Sequence, residues 1–177
     1  PSCSFLADTF DGAAVHLAHR DVSFVAISRA TLPEIETFKK RMGWQFKWVS
    51  SFGSEFNYDY QVSLSQAEKA SGKVYYNYEM TEFGPEERPG ASVFYKDEAG
   101  EIFHTYSSYG RGLDPMIGTY NWLDLTPKGR DEDGLVFSMA WVRHHDKYVD
   151  GQIVDPKAQY VQPAKVDASC CSEKERA

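Results

Sequence analysis

The residue in this chain best suited to chemistry is Cys3, which stands in a Pro/Ser turn just before a short apolar run, Phe5, Leu6 and Phe10. This spacing predicts a helix that begins beside the thiol. Unpaired backbone N–H groups and the helix dipole stabilise negative charge at that end, which favours thiolate over thiol. Cys3 is therefore a candidate redox thiol. The alternative interpretation is a small buried hydrophobe at a helix start.

Two further cysteines, Cys170 and Cys171, are adjacent near a polar tail. Adjacent cysteines rarely pair with each other because the resulting ring is strained. We interpret them as free thiols, with a metal pair or an auxiliary thiol relay as the alternatives. An odd count of 3 cysteines does not make a disulfide framework and favours a reducing compartment, so we expect a cytoplasmic protein.

Two polar residues are candidates for substrate binding. Arg111 lies between two glycines, where it could hold an anionic group or pair instead with Asp114 or Asp131. His104 lies in a predicted strand and could carry protons in a cleft, although a structural histidine is the more ordinary interpretation.

Aromatic residues cluster between positions 44 and 60 and include Trp44 and Trp48. Packing in the core explains most of such a cluster. The alternative is a groove for an apolar substrate or a partner peptide, to which these two indoles would contribute.

Composition and motifs argue against several classes of function. A net charge of −7 disfavours non-specific binding to nucleic acid or to an anionic membrane. No apolar run approaches the roughly 20 residues that span a bilayer. GxGxxG, P-loop, GxSxG and zinc-site patterns are lacking, so we predict no cofactor and no metal. The acidic run Asp131-Glu132-Asp133-Gly134 lacks the further positions of a calcium loop and predicts a solvated turn.

The elements that must position Cys3 follow from periodicity and capping. The first helix is interrupted at Asp11-Gly12 and continues over 13–20, and a buried strand follows over 22–28. A helix is predicted from the cap Thr31, from Pro33 in its first turn and from a basic last turn before Gly43. Apolar and polar residues then alternate over 46–50 as in a strand. A strand, a helix and a strand in this order imply a right-handed crossover in a parallel sheet.

The second half of the chain predicts a further strand, a hairpin and a final helix. Ser65 and Glu68 are spaced as a capping box within 62–72, and 74–78 is a candidate strand. The runs 91–95 and 102–106 predict an antiparallel hairpin. A helix is predicted to start at Asp114-Pro115. Loops are predicted over 51–60, 81–90 and 126–134. The apolar run 135–142 could be strand or helix.

This order matches an α/β thioredoxin-like fold, a central mixed sheet flanked by helices, whose first strand is absent from the chain. We expect one domain over 1–149 and an extended or flexible tail over 150–177. Because the chain does not begin with Met, we interpret it as a processed, cleaved or partly observed product.

Four stretches carry a resemblance to a known family: SCSFLADTFDG, SRATLPEIETFKKRMGWQFKWVSSFGSEFNYDY, VFYKDEAGEIFHTYSSYGRGLDP and LDLTPKGRDEDG. The chain resembles the thioredoxin-like proteins catalogued as domain of unknown function 899, which are described as predicted dithiol–disulfide oxidoreductases. The resemblance implies a thioredoxin fold and a C-P-S-C motif. Pro1-Ser2-Cys3 would be its last three residues, with the first cysteine preceding Pro1.

Three functions follow as hypotheses. The first is a thiol–disulfide oxidoreductase acting on a protein or small-molecule thiol or disulfide. The second is a non-catalytic binding module of the same fold with an aromatic groove, and the third is a peroxiredoxin-like peroxidase. Edge strands and exposed aromatic residues would also allow a homodimer.

Overall fold

A computed structural model of the chain describes residues 1–82 and 84–148. Its α-helices are α1 (Ser2–Ala7), α2 (Phe10–Ala18), α3 (Leu32–Met42), α4 (Phe56–Asp59), α5 (Gln66–Ser71) and α6 (Gly118–Leu123). Its strands are β1 (Ala26–Ser28), β2 (Trp48–Ser50), β3 (Lys73–Tyr76), β4 (Glu79–Glu82), β5 (Gly90–Lys96) and β6 (Ile102–Tyr109). Short 3₁₀ helices cover Gly110–Met116 and His145–Lys147. The fold is therefore mixed α/β, as predicted at that level.

The strand–helix–strand unit near the start of the chain is confirmed. β1 pairs with β2 in parallel, with Ala26 opposite Trp48, and α3 connects them. α3 begins and ends where the sequence predicts: Thr31 and Glu34 form a capping box, and Gly43 closes the helix at φ 70°. β1 is shorter than the predicted 22–28 because only its last three residues have partners in the ladder.

Two antiparallel hairpins follow. β5 pairs with β6, with Gly90 opposite Tyr109, which confirms the predicted hairpin and extends it at both ends. β3 pairs with β4 through a turn at Asn77 and Tyr78, both at positive φ, so the predicted strand ends at Tyr76. β4 also runs into the predicted loop 81–90. The three pairs do not join into the expected central sheet, because no strand in the described residues bridges β1 to β5.

Several predicted boundaries are wrong for local reasons. The first helix breaks at Asp8-Thr9 and not at Asp11-Gly12, which lies inside α2. α4 forms inside the predicted loop 51–60. Asp114-Pro115 lies within a 3₁₀ helix, where Ile117 N–H donates to the Asp114 carbonyl, and α6 begins only at Gly118.

The apolar run 135–142 is neither strand nor helix. Its backbone closes successive turns, in which Ala140 N–H donates to the Phe137 carbonyl and Val142 N–H donates to the Met139 carbonyl. Val136 and Phe137 are exposed, whereas Ala140 and Val142 are buried. The apolar pattern therefore reflects two buried anchors in a turn-rich segment.

The core consists of two apolar clusters on either side of α1. The first contains Phe5, Ile117, Tyr120 and Val142, and the second contains Ala7, Met42, Trp44 and Phe46. α1 supplies one residue to each cluster, which fixes the short helix between the β1–α3–β2 unit and the segment that follows β6.

None of the helices in residues 1–82 and 84–148 is long and apolar enough to cross a membrane. The predicted tail 150–177, together with Cys170 and Cys171, lies outside the described residues. The proposed division of the chain at residue 149 stays a prediction.

Candidate functional site

Cys3 lies in the first turn of α1, and the residue is exposed. The sequence prediction that a helix begins at this thiol is confirmed. The buried-hydrophobe interpretation does not fit an exposed residue. The neighbouring Ser4 and Phe5 are buried, so the helix presents Cys3 to solvent while its other side packs inward.

The packing of Phe5 holds this end of α1 in place. Its ring meets both Tyr120 and Trp141 edge-on, with centroid distances of 5.3 Å in each case. Edge-to-face geometry places the positive ring edge against the negative face of its neighbour. We call Tyr120 and Trp141 the aromatic clamp. Cys3 lies two residues before the phenylalanine that this clamp holds.

Glu132 organises that clamp. Its Oε1 accepts hydrogen bonds from the Tyr120 hydroxyl at 2.7 Å, the Trp141 indole N–H at 2.6 Å and the Met139 backbone N–H at 3.0 Å. Burial alone would raise the pKa of Glu132, but these hydrogen bonds outweigh it and lower the pKa. Glu132 belongs to the run predicted as a solvated turn, and that prediction is wrong for this residue because its carboxylate is engaged by three donors.

Two arginines cover Tyr120. The guanidinium carbons of Arg130 and Arg111 lie 3.9 Å and 5.3 Å from the ring centroid. Arg111 and Arg130 both contact Asp114 Oδ2 at 2.7 Å. Burial, and then the hydrogen bond to Glu132, raise the pKa of Tyr120 to about 12. Of the two pairings that the sequence left open for Arg111, the structure has the one with Asp114.

The second anchor of α1 is Asp8, at the carboxyl end of the helix. Its Oδ1 accepts from the Trp44 indole N–H at 2.8 Å and lies 2.6 Å from His145 Nδ1. Three residues on, Asp11 accepts from the backbone N–H groups of Gln45 and Phe46. These two carboxylates tie the start of the chain to the loop that leads into β2.

Trp44 and Trp48 form part of the apolar core beside α3. Trp44 is buried and Trp48 is half-buried, with its indole N–H donating to Ser28 Oγ at 3.0 Å. Their rings lie 5.9 Å apart and both contact Phe38. The structure thus brings the two predicted indoles together as packing residues, and Trp44 has little surface left for a ligand.

His104 lies in β6 and is exposed. Its Nε2 is 2.7 Å from Ser107 Oγ and 3.0 Å from the Tyr106 carbonyl. The rings of Tyr60 and Phe94 flank it. These contacts come from the β5–β6 hairpin and from Tyr60, the residue that follows α4, and none of them involves Cys3.

A second polar group is built around Tyr76. Its hydroxyl donates to the Pro89 carbonyl at 2.7 Å and accepts from Gly110 N–H at 2.8 Å. Arg88 covers the Tyr76 ring, with its guanidinium carbon 4.7 Å from the centroid. Burial raises the pKa of Tyr76, and the charge of a Cys3 thiolate adds to this rise, which places the thiol within electrostatic range of the hydroxyl.

Sequence reasoning missed Tyr76, Arg88, Glu132 and Asp8 as parts of this site. Arg88 had one usable signal, because a basic residue directly before Pro89 and the hairpin stands at a strand entry. The others act through partners distant in sequence, and no local pattern marks them. In the described residues, no group of three or more His, Cys, Asp or Glu side chains is arranged to hold a metal ion.

Comparison with known proteins agrees with the resemblance seen in the sequence. The model of a family described as "Bacterial protein of unknown function (DUF899)" matches residues 1–148. Neither the curated proteins nor the solved structures include a match to this chain. The matched range contains Cys3, the Tyr76 group, the aromatic clamp and Glu132. The chain therefore belongs to the family of bacterial proteins of unknown function DUF899.

Proposed function

We propose that this protein is a thiol–disulfide oxidoreductase of thioredoxin-like type in which Cys3 is a redox thiol. The observation that carries the proposal is an exposed thiol on a helix that packs into both apolar clusters, into one through Phe5 and into the other through Ala7. Thiol–disulfide exchange needs an accessible sulfur, and a fixed helix keeps that sulfur in one place. The order of α1, β1, α3, β2, the β5–β6 hairpin and α6 supports the thioredoxin-like fold as part of the same proposal.

In the dithiol form of this mechanism, a second cysteine stands immediately before Pro1 in the complete gene product. That cysteine attacks one sulfur of a substrate disulfide, forms a mixed disulfide and releases one substrate thiol. Cys3 then attacks the protein sulfur of the mixed disulfide and releases the second thiol. Two electrons and two protons pass to the substrate, the protein keeps a disulfide, and an external dithiol reductant restores it.

The test is the substitution Cys3→Ser in the complete gene product, assayed for dithiol-dependent reduction of a disulfide. We expect loss of turnover, with Ser2→Ala and a Cys170→Ser/Cys171→Ser double variant as controls that keep it. Unchanged turnover in Cys3→Ser removes Cys3 from the mechanism. Alkylation of each cysteine, followed by peptide mass spectrometry, supplies a second measurement: Cys3 is expected to react in the folded state.

A peroxiredoxin-like peroxidase is the alternative that the exposed thiol also allows. It requires oxidation of a cysteine thiolate by peroxide to sulfenic acid, with release of water. Trapping of a sulfenic acid at Cys3 by dimedone after peroxide treatment distinguishes this chemistry. A binding module that uses Trp44 and Trp48 has less support, because both indoles pack in the core.

A further inference from the structure

The side chain of His144 occupies a place that admits only its neutral form. His144 directly precedes the 3₁₀ helix His145–Lys147, and its Nδ1 lies 2.8 Å from Arg41 Nη2 in the last turn of α3. A guanidinium only donates hydrogen bonds, so Nδ1 of His144 must accept and the ring proton must be on Nε2. A protonated ring would point a second N–H at the guanidinium. The contact with Arg41 therefore holds His144 only while the imidazole is neutral.

Arg41 is not free to withdraw from a charged imidazole. Its Nε and Nη2 donate to the two carboxylate oxygens of Asp146 at 2.9 Å and 2.8 Å. Its guanidinium carbon also lies 5.2 Å from the ring centroid of Phe38. Two parallel hydrogen bonds to one carboxylate fix the orientation of a guanidinium. When His144 gains a proton, the imidazole must therefore move, because the arginine is pinned.

The backbone on both sides of His144 is anchored, so this movement belongs to the side chain. Val142 is buried in the first apolar cluster, and Lys147 N–H donates to the His144 carbonyl at 2.8 Å. On the next residue, His145 Nδ1 lies 2.6 Å from Asp8 Oδ1. A carboxylate accepts from a neutral imidazole and more strongly from a charged one. Acid thus weakens the hold of His144 and preserves that of its neighbour.

The ring of His144 covers an aromatic side chain of α3. It stands nearly perpendicular to the ring of Phe38, with the centroids 5.3 Å apart. On the inner side, Phe38 packs against Trp44 and Trp48. A shallow depression of about 410 Å³ on α3 is lined by Pro33, Glu34, Thr37, Phe38 and Arg41. Departure of the imidazole would extend this depression along the ring of Phe38.

The charged groups around His144 favour its neutral form. Burial lowers the pKa of His144, and the amino group of Pro1 and the Arg41 guanidinium lower it further, whereas the carboxylates of Asp146 and Asp8 act in the opposite direction. The net effect is a pKa below the ordinary value of 6.5. Each pH unit below 6.5 should raise the ratio of open to closed rings about tenfold, until the closed ring is itself protonated.

We propose that His144 is an acid-operated gate at the depression on α3, which the neutral ring closes over Phe38 and the protonated ring opens. Because Arg41 stays paired with Asp146, the open gate leaves one Nη2 hydrogen uncovered beside the ring of Phe38. The gate is independent of the redox role of Cys3, so either can fail without the other.

Nuclear magnetic resonance of the 177-residue chain, labelled with ¹⁵N-histidine, tests the gate without any variant. At pH 7.5, we expect His144 to show an unprotonated Nδ1 and a protonated Nε2, with nuclear Overhauser effects to the ring protons of Phe38. These effects should disappear between pH 6.5 and pH 5 as the ring opens. A proton on Nδ1 at pH 7.5, or contacts with Phe38 that persist once His144 is protonated, overturn the gate.

Two glutamine variants isolate the contribution of His144. His144→Gln keeps an oxygen that accepts from Arg41 but cannot be protonated, so the Phe38 ring resonances should become independent of pH between 5 and 8. His145→Gln retains a donor for Asp8 and should leave the acid response of Phe38 in place. A response that survives in His144→Gln overturns the gate. Loss of the circular dichroism signal over the same pH range also overturns it, since opening would then be part of unfolding.

Discussion

The ring of Phe5 meets the ring of Tyr120 edge-on at 5.3 Å, and through this contact the helix that carries Cys3 is braced by α6. Tyr120 is fully buried and Phe5 nearly so. The short helix that carries the accessible Cys3 is thus anchored by a buried aromatic pair.

Truncation of Phe5 should remove the brace. We expect Phe5→Ala to lower the free energy of unfolding by about 3–5 kcal/mol, because it deletes a buried ring and leaves a cavity between Tyr120 and Trp141. Urea denaturation measures the change. Val15→Ala, at an exposed position, is the control and should change stability by less than about 0.5 kcal/mol. A loss at Phe5 as small as the loss at Val15 would mean that α1 is not anchored there.

Glu132 should be needed as a carboxylate. In Glu132→Gln, the oxygen that accepts all three hydrogen bonds loses its negative charge, so each bond is weakened because charge-assisted hydrogen bonds are stronger than neutral ones. We expect a destabilisation of about 1–3 kcal/mol, together with a shifted indole N–H resonance for Trp141. Asp133→Asn removes the same charge from an exposed neighbour and should do neither. An unchanged Trp141 resonance in Glu132→Gln would contradict the hydrogen-bond arrangement.

The pairing of Asp146 with Arg41 predicts a pH dependence. The Arg41 hydrogen bonds lower the pKa of Asp146 from 3.8 to about 2. A carboxyl whose pKa falls on folding stabilises the native state fully above its unfolded pKa and loses that contribution as the pH falls through its folded pKa. Asp146→Asn should therefore cost about 1 kcal/mol at pH 7 after solvent screening, and only a small part of that at pH 2, where most of the contribution has been lost.

Unfolding curves of both proteins between pH 2 and pH 7 measure this difference. A cost that stays constant across this range would show that the substitution acts through packing and not through the ion pair. Arg41→Gln is the matched variant, and it should follow the same pH course.

Gly90 should resist substitution for steric reasons. A Cβ at this position would lie 2.8 Å from Val62 Cγ1 and 2.9 Å from Tyr109 Cδ1. Gly90→Ala should thus destabilise by about 1–3 kcal/mol through overpacking. Gly134→Ala, where a Cβ meets nothing within 4 Å, is the control and should be nearly neutral. Equal thermal midpoints for the two variants would contradict the close approach of Tyr109.

Local signals in the sequence predicted the elements that depend on local contacts. Thr31, Glu34 and Gly43 bound α3 because capping is decided within one helical turn. Ser65 and Glu68 likewise start α5. The β5–β6 hairpin was also predictable, since a short polar turn separates its strands.

The candidate site was predictable at Cys3 and in part at Arg111, whose pairing with Asp114 was one of the two that the sequence left open. The aromatic clamp depends on Trp141, which lies in an apolar run with no periodicity of its own, and on Glu132, which resembles a surface acid in sequence. Such features arise when distant segments meet, so they become visible only in the folded chain.

The contact between Asp8 and His145 spans a sequence separation of 137 residues. The helix that carries the thiol is therefore secured at this end only when residues far along the chain have folded against it. Contacts of such high sequence separation form slowly, because the intervening chain must close a long loop. During that interval Cys3 has no fixed neighbours, so a nascent or refolding chain exposes this sulfur to any oxidant before its intended partners are in place.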